Sequence, residues 1–292
     1  MLKFGILRSP TGHSLSEVMQ TAALQHLNIK GEYKAYGVSK EDLKKVFLEL
    51  KANGVKGLNV TIPHKIDIIP LLDELTERAK LIGAVNTITF QEDGKTTGDN
   101  TDVIGFWEAI SEEVRKKIPL NKVSILGCGG AAHAVATALI LNRTKHIKIY
   151  GRNKDKFDDF KRFFLQGKET LQWNISTTIE TDLISNIDLS NTFLLVNTTP
   201  LGMYPNINDS PIKKDDLNKL PKDSFVYDII YKPKETKLLQ YAKTLGLQTL
   251  NGVEMLVRQG AASLNIWLGE SIAPIGAMRT AILNELEKTL HV

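Results

Sequence analysis

Apolar and polar positions along this chain fall into short runs that switch repeatedly between the period of a strand and the period of a helix. Leu2 to Leu7 predicts a first strand. Ser14 precedes a helical run with Val18, Met19 and Ala22 on nearby faces, and Ser14-Leu15-Ser16-Glu17 fits a capping box. Tyr33 to Val38 predicts a second strand. Leu43, Val46, Phe47 and Leu50 then fall at i, i+3, i+4 and i+7, an amphipathic helix started by Ser39 and Asp42. From Val55 to Ile62 the period is strand-like: Leu58, Val60 and Ile62 share one face, and Gly57, Asn59 and Thr61 the other. Ala84 to Phe90 predicts a further strand before an Asp93-Gly94 turn. A helix is expected from Thr101 to about Val114, and Ile118-Pro119-Leu120-Asn121 reads as a connection to a new unit.

That unit opens with the short buried-type strand Lys122 to Leu126. The loop Gly127-Cys128-Gly129-Gly130 follows, then a helical run from Ala131 to Leu141 and a strand from Ile147 to Tyr150. This is a βαβ unit of the usual size, about 30 residues. More strands are predicted at Phe193 to Val196, Phe225 to Ile229 and Gln248 to Leu250, and the stretch 253–292 reads as helical. Strand–helix alternation on this scale predicts an α/β fold in two domains, split between Thr101 and Asn121.

At 292 residues the chain can bury a core in each domain. Its formal charge of +4 is small, and Lys and Arg are dispersed among acids, so there is no nucleic-acid footprint. The single cysteine, Cys128, rules out an internal disulfide framework. The six histidines lack ligand spacing, which argues against zinc-assisted chemistry and predicts no metal site; His13, His26 and His64 read as structural or exposed. No apolar stretch approaches membrane length, and the N-terminus is too short for a signal segment, so a cytoplasmic protein is expected.

The Gly-rich loop lies between a strand and a helix, the context a dinucleotide needs. Small residues let the backbone approach a pyrophosphate, and the helix start offers free N–H groups and the positive end of its dipole. Ala132 stands at the sixth position of the G-x-G-x-x-G pattern, an accepted substitute. A tight turn with no ligand is the plain alternative. The next strand ends Tyr150-Gly151-Arg152-Asn153-Lys154, and its first acid, Asp155, comes later between two lysines. A carboxylate repels a 2′-phosphate and a guanidinium binds it through paired hydrogen bonds, so the cofactor expected is NADP rather than NAD.

Candidate chemistry lies in the first domain. Asn59 and Thr61 share a strand face followed by Pro63-His64-Lys65, Asn86 interrupts an apolar strand, and Asp102 begins a helix. Ligands of α/β sheets gather beyond the carboxyl ends of strands, where Lys65, Asn86 and Asp102 can meet. Alcohol oxidation needs a departing hydride and a departing proton; Lys65 can carry the proton and Asp102 can position it. Each also has an ordinary reading, a surface lysine and a helix cap. Ser14 and Ser16 likewise either start a helix or bind a carboxylate.

Taken together these blocks resemble the shikimate dehydrogenase family, including its quinate/shikimate branch. The resemblance rests on His13-Ser14-Leu15-Ser16, Asn59-Val60-Thr61-Ile62-Pro63-His64-Lys65, Gly83-Ala84-Val85-Asn86-Thr87 and Gly98-Asp99-Asn100-Thr101-Asp102. Gly127-Cys128-Gly129-Gly130-Ala131, Asn197 to Met203, Tyr227-Asp228, Asn251-Gly252 and Gln259 continue the series. It implies reversible reduction of 3-dehydroshikimate to shikimate with NADP(H), Lys65 and Asp102 as the catalytic pair, and Ser14, Ser16, Thr61, Asn86 and Gln259 on the substrate, with Asn59 and Tyr231 nearby. Gly127, Cys128, Gly129, Gly130 and Ala131, with Gly151, Arg152, Asn153 and Lys154, would hold the cofactor; Glu77, Ile229, Tyr231 and Gly252 would lie close to it. It further implies a substrate domain at 1–103 completed by 255–292, a Rossmann-like domain at 104–254, and an active site in the cleft between them.

The chain departs from the family pattern in places. Glu17, Gln20 and Thr21 replace the Pro, His and Asn common after the serines, which bears on substrate preference. Gly151 replaces an Asn common before Arg, and the stretch 155–191 is long, as in the quinate/shikimate branch that often accepts NAD. A quinate/shikimate dehydrogenase using NAD or NADP is therefore the alternative expectation, and a non-catalytic nicotinamide-nucleotide-binding protein a third.

Overall fold

A computed structural model describes residues 1–11, 14–170 and 177–288, apart from the side chains of 166–170; His13 lies outside this range. The chain divides into two units, Met1–Gly105 with Val257–Val292, and Phe106–Leu256.

The first unit opens with β1 (Leu2–Arg8), α1 (Ser16–His26), β2 (Gly31–Gly37), α2 (Leu43–Ala52), β3 (Gly57–Val60) and α3 (His64–Asp67). It continues with β4 (Glu74–Leu75), α4 (Glu77–Ile82), β5 (Thr87–Phe90), β6 (Thr96–Asp99) and α5 (Asp102–Ala109), within which the division falls. Its six-stranded sheet has the order β2-β1-β3-β5-β6-β4. β1 runs parallel to β2 and β3, β5 runs antiparallel to β3 and β6, and β4 is parallel to β6. One core beneath it gathers Leu7, Phe47, Leu58, Ile68, Val85 and Ile88, all buried. Each such side chain contributes about 1.5–3 kcal/mol by leaving water.

The second unit comprises α6 (Glu112–Lys117), β7 (Lys122–Leu126), α7 (Gly130–Leu141), β8 (His146–Gly151), α8 (Asp155–Thr170), β9 (Thr178–Leu183), β10 (Thr192–Asn197), α9 (Lys214–Leu217), β11 (Phe225–Asp228), α10 (Lys237–Thr244) and β12 (Gln248–Leu250). Its sheet is parallel throughout, in the order β12-β11-β10-β7-β8-β9. Numbered from β7, this is the doubly wound Rossmann order, with its switch point between β7 and β10. α11 (Val253–Leu268) starts in this unit; its later turns and α12 (Ile275–Lys288) belong to the first unit, with α12 against α1. Trp267 of α11 lies flat against Gly57, stacks on Phe4 at 5.0 Å between ring centres, and donates its indole N–H to the Ile88 carbonyl at 2.9 Å. The C-terminal helices thus complete the first unit.

Three expectations need correction. The strand expected from Val55 to Ile62 pairs only over Gly57–Val60; at Thr61 the chain turns, and Ile62 is 77% exposed rather than on a core face. The helix expected from Thr101 to Val114 breaks after Ala109, because Ser111 leaves the helical region, at φ −59° and ψ 150°, before α6 begins with Glu112 and Glu113 in its first turn. Ser14 does not close a capping box with Glu17: its hydroxyl oxygen accepts the N–H of Ser16 at 3.2 Å, two residues on. The Ser39–Asp42 pair does form, with the Asp42 N–H on the Ser39 oxygen.

Candidate active site

Strand directions bring the polar residues of the first unit to one edge of its sheet. β1 and β3 are parallel, so Ser14 and Ser16 after the one, and Thr61 and Lys65 after the other, lie beyond the same edge. β5 is antiparallel to β3, so Asn86, just before it, is at that edge too. β6 returns antiparallel to β5 and delivers Asp102 there. β4 is parallel to β6, which puts Glu77, exposed at the start of α4, on the same side.

Lys65 and Asp102 form an ion pair, Nζ to Oδ2 at 2.7 Å, with the two side chains 27% and 18% exposed. They are shielded yet reachable. Lys65 is held from both sides: its carbonyl accepts the Val85 N–H at 2.8 Å, and neighbouring His64 is fully buried with Nε2 2.9 Å from the Val38 carbonyl. The other Asp102 oxygen, Oδ1, accepts the Asn86 amide nitrogen at 2.8 Å, and the Asp102 N–H is capped by Asn100 Oδ1 at 3.1 Å. The carboxylate is therefore fixed at two points, with one donor on each oxygen, and its backbone is pinned beside it.

Asp99, two residues earlier in chain order than the Thr101 turn it supports, accepts two bonds from Arg78, at 2.6 and 2.5 Å, and one from Thr76 at 2.7 Å. It anchors the loop that leads to Asp102. Asn59 is not free for a ligand. It is buried, its oxygen accepts the Tyr33 hydroxyl at 2.8 Å, and its nitrogen donates to the Asn86 carbonyl at 3.1 Å and to Ser263 at 3.0 Å. Within the cluster it holds the Asn86 backbone. Ser16 is nearly as buried and hydrogen-bonds the Tyr33 phenol, whose ionisation burial pushes well up. Ser14, Thr61 and Gln259 are half-buried. Tyr33, Thr87, Thr101 and Ser263, all buried, belong to this polar cluster and were not singled out from sequence; a lone serine on the apolar side of a helix was the available signal.

In the second unit the parallel strands present β7, β8, β10, β11 and β12 at a common carboxyl edge. Gly127 ends β7 at φ +110°, and a Cβ there would lie 2.6 Å from Thr198 Oγ1, so the position admits only glycine. Thr198 is fixed in turn, its hydroxyl donating to the Leu126 carbonyl at 2.7 Å. Gly129 and Gly130 have open space where side chains would stand, and α7 starts at Gly130 with no side-chain cap. Bare first-turn N–H groups at a twelve-residue helix, with clear approach, fit a pyrophosphate. Ala131 is half-buried in that first turn.

Beyond β8, Arg152, Asn153 and Lys154 are exposed. Asn153 caps α8 by accepting the Asp155 N–H at 2.8 Å, which leaves Arg152 and Lys154 as the cations there. A Cβ at Gly151 would meet Cys128 Sγ at 2.6 Å and Phe157 at 2.8 Å, so those two side chains explain the absent asparagine. Burial pushes the Cys128 thiol up, keeping it neutral. Gly252 donates its N–H to the Ile230 carbonyl at 2.9 Å in a backbone approach with no room for a Cβ, and Ile229 and Tyr231, both half-buried, follow β11. Tyr231 belongs to the second unit, and Lys65 and Asp102 to the first.

Among the described residues no group of three or more His, Cys, Asp or Glu is arranged to hold a metal ion, and no helix is long and apolar enough to cross a membrane.

Two family models match: the shikimate dehydrogenase substrate binding domain over residues 6–88 and the shikimate 5′-dehydrogenase C-terminal domain over 252–283. A shikimate dehydrogenase (NADP+) of Synechocystis sp. is 39% identical over 290 residues, covering 98% of this chain and 96% of that one. A solved shikimate dehydrogenase in complex with NADP+ is 36% identical, with a TM-score of 0.84 over 98% of this chain and 96% of its own. A shikimate 5-dehydrogenase from Listeria monocytogenes, solved with shikimate and NAD, is 30% identical, with a TM-score of 0.86 over 97% and 96%.

Proposed function

The chain belongs to the shikimate dehydrogenase family, and from that premise we propose that it catalyses the reversible NADP-dependent interconversion of shikimate and 3-dehydroshikimate. The observation that carries this reading is the 2.7 Å ion pair between Lys65 and Asp102 beyond the sheet edge where α/β ligands gather.

In the reducing direction the Lys65 ammonium gives a proton to the ketone oxygen as it becomes an alcohol; in the oxidising direction the amine takes that proton back. Asp102 holds Nζ with one oxygen, leaving two of its three N–H directions for substrate. Asn86 holds the other carboxylate oxygen, so Asp102 stays an acceptor throughout. Ser14 uses its oxygen to accept from the chain, which leaves its O–H to donate to the substrate carboxylate. Thr61 and Gln259 supply further polar contacts to the ring hydroxyls. NADP, when bound, supplies and accepts the hydride. The Gly127–Ala131 loop and the start of α7 suit its pyrophosphate, and Arg152 with Lys154 suits its 2′-phosphate. We assign substrate binding to the first unit and cofactor binding to the second.

Steady-state turnover of shikimate and of quinate, each with NADP+ and with NAD+, tests this directly through the near-ultraviolet absorbance of the reduced nicotinamide. Shikimate with NADP+ is expected to give the highest kcat/KM. Preference for quinate with NAD+ would move the chain to the other branch of the family, and absence of turnover on either acid would remove the enzymatic reading.

A further inference from the structure

We propose that Ser263 is a positioning residue: its hydroxyl locks the Asn86 amide, and through it the Asp102 carboxylate, from a helix more than 150 residues away in sequence. This rests on the catalytic reading of Asp102 given above. Ser263 lies on α11, is fully buried, and contacts four groups. It accepts from Asn59 Nδ2 at 3.0 Å, donates to the Gln259 carbonyl at 3.0 Å, and lies 2.8 Å from Thr87 Oγ1 and 3.2 Å from Thr101 Oγ1.

The proton count in this cluster closes. Asn86 Oδ1 accepts the Thr101 N–H at 2.8 Å, and its second lone pair takes one threonine hydroxyl, from Thr87 at 2.8 Å or Thr101 at 3.1 Å. The other threonine hydroxyl then donates to Ser263, which also accepts from Asn59 and so has both lone pairs filled. Either arrangement satisfies every atom. Both hold the oxygen of Asn86 inward and so turn its nitrogen toward Asp102 Oδ1.

Without the Ser263 hydroxyl the network loosens. One threonine hydroxyl falls back on the other at 3.2 Å, and one Asn59 hydrogen falls back on Thr87 Oγ1 at 3.4 Å in place of Ser263 at 3.0 Å. Longer buried bonds hold less firmly, so the Asn86 amide keeps its orientation through the Thr101 N–H but moves more freely, and Asp102 with it. The effect falls on the orientation of the Lys65–Asp102 pair and not on binding, because Ser263 itself is closed off from ligand.

The test compares Ser263→Ala with Ser263→Cys, which keeps a weak donor and acceptor, and with Trp267→Phe, which removes a different hydrogen bond from the same helix. Ser263→Ala is expected to lower kcat for shikimate about 10-fold while leaving KM for shikimate and Kd for NADP+ within about two-fold. Ser263→Cys should fall between it and the parent. Trp267→Phe should lower Tm and keep the parental kcat. Hydrogen exchange of the Asn86 side-chain amide, followed by NMR in the unliganded protein, should quicken in Ser263→Ala and stay unchanged in Trp267→Phe. Parental kcat and parental amide protection in Ser263→Ala would overturn the proposal, as would equal loss of activity in Trp267→Phe. If the parent itself turns over no shikimate, the functional reading falls, and the amide exchange still decides whether Ser263 orients Asn86.

Discussion

Asn86 turns the nitrogen of its amide, and not the oxygen, toward Asp102, at 2.8 Å from Oδ1. The Thr101 N–H claims the oxygen side, so the backbone dictates the flip. Exchange of Asn86 for aspartate keeps an acceptor for Thr101 but sets a second carboxylate against Asp102, replacing a donor with a like charge. We expect Asn86→Asp to lower kcat by about 10²-fold or more, measured by initial rates with saturating shikimate and NADP+. A kcat near the parental value would show that Asp102 needs no partner on Oδ1.

Arg152 stands exposed beyond β8 with Lys154, and Asn153 is occupied capping α8. Arg152→Asp places a carboxylate where a 2′-phosphate must sit. NADP+ affinity should fall by about 10²-fold, with NAD+ affinity little altered, both read by fluorescence titration. Equal losses for the two cofactors would contradict the assignment.

Gly127 combines a positive φ with a Thr198 hydroxyl 2.6 Å from its absent Cβ. Gly127→Ala is expected to cost about 1–3 kcal/mol of stability and to lower Tm, with cofactor affinity reduced more than shikimate binding. Calorimetry and cofactor titration check both parts. A variant as stable as the parent would refute the close packing of these two loops.

Asp228 is fully buried, and burial raises its carboxyl from 3.8 to about 6, against hydrogen bonds from Thr236, Ile230 and Asn197 that favour the ionised form. The folded state therefore holds a proton that the unfolded state has released between these two values. Stability from this group is present below pH 3.8 and is lost as pH rises through about 6, by up to about 3 kcal/mol. Urea unfolding of the parent and of Asp228→Asn across that window should show the slope in the parent alone. The same slope in both would assign it elsewhere.

How far the sequence could be read depended on the range of the interaction. The Gly127 turn was legible because strand, loop and helix follow one another directly. The edge that gathers Lys65, Asn86 and Asp102 was legible because strand ends collect ligands, whatever the order of strands. The partners of Asn59 were hidden for a physical reason: alternation placed it on a polar face with Thr61, but its amide meets Ser263, 204 residues later. β6 was invisible because Thr-Thr-Gly-Asp carries no apolar signal; neighbouring strands, and not its own side chains, make it a strand. The break at Ser111 was hidden because apolar periodicity continues across it while the backbone does not.

The central claim is that Lys65, held 2.7 Å from Asp102, moves the proton at the substrate oxygen. The most direct measurement is kcat for shikimate oxidation by Lys65→Ala, with Kd for NADP+ determined on the same preparation. The account predicts a fall in kcat of ~10²–10⁴-fold with cofactor affinity unchanged. A variant that keeps most of its kcat would contradict it.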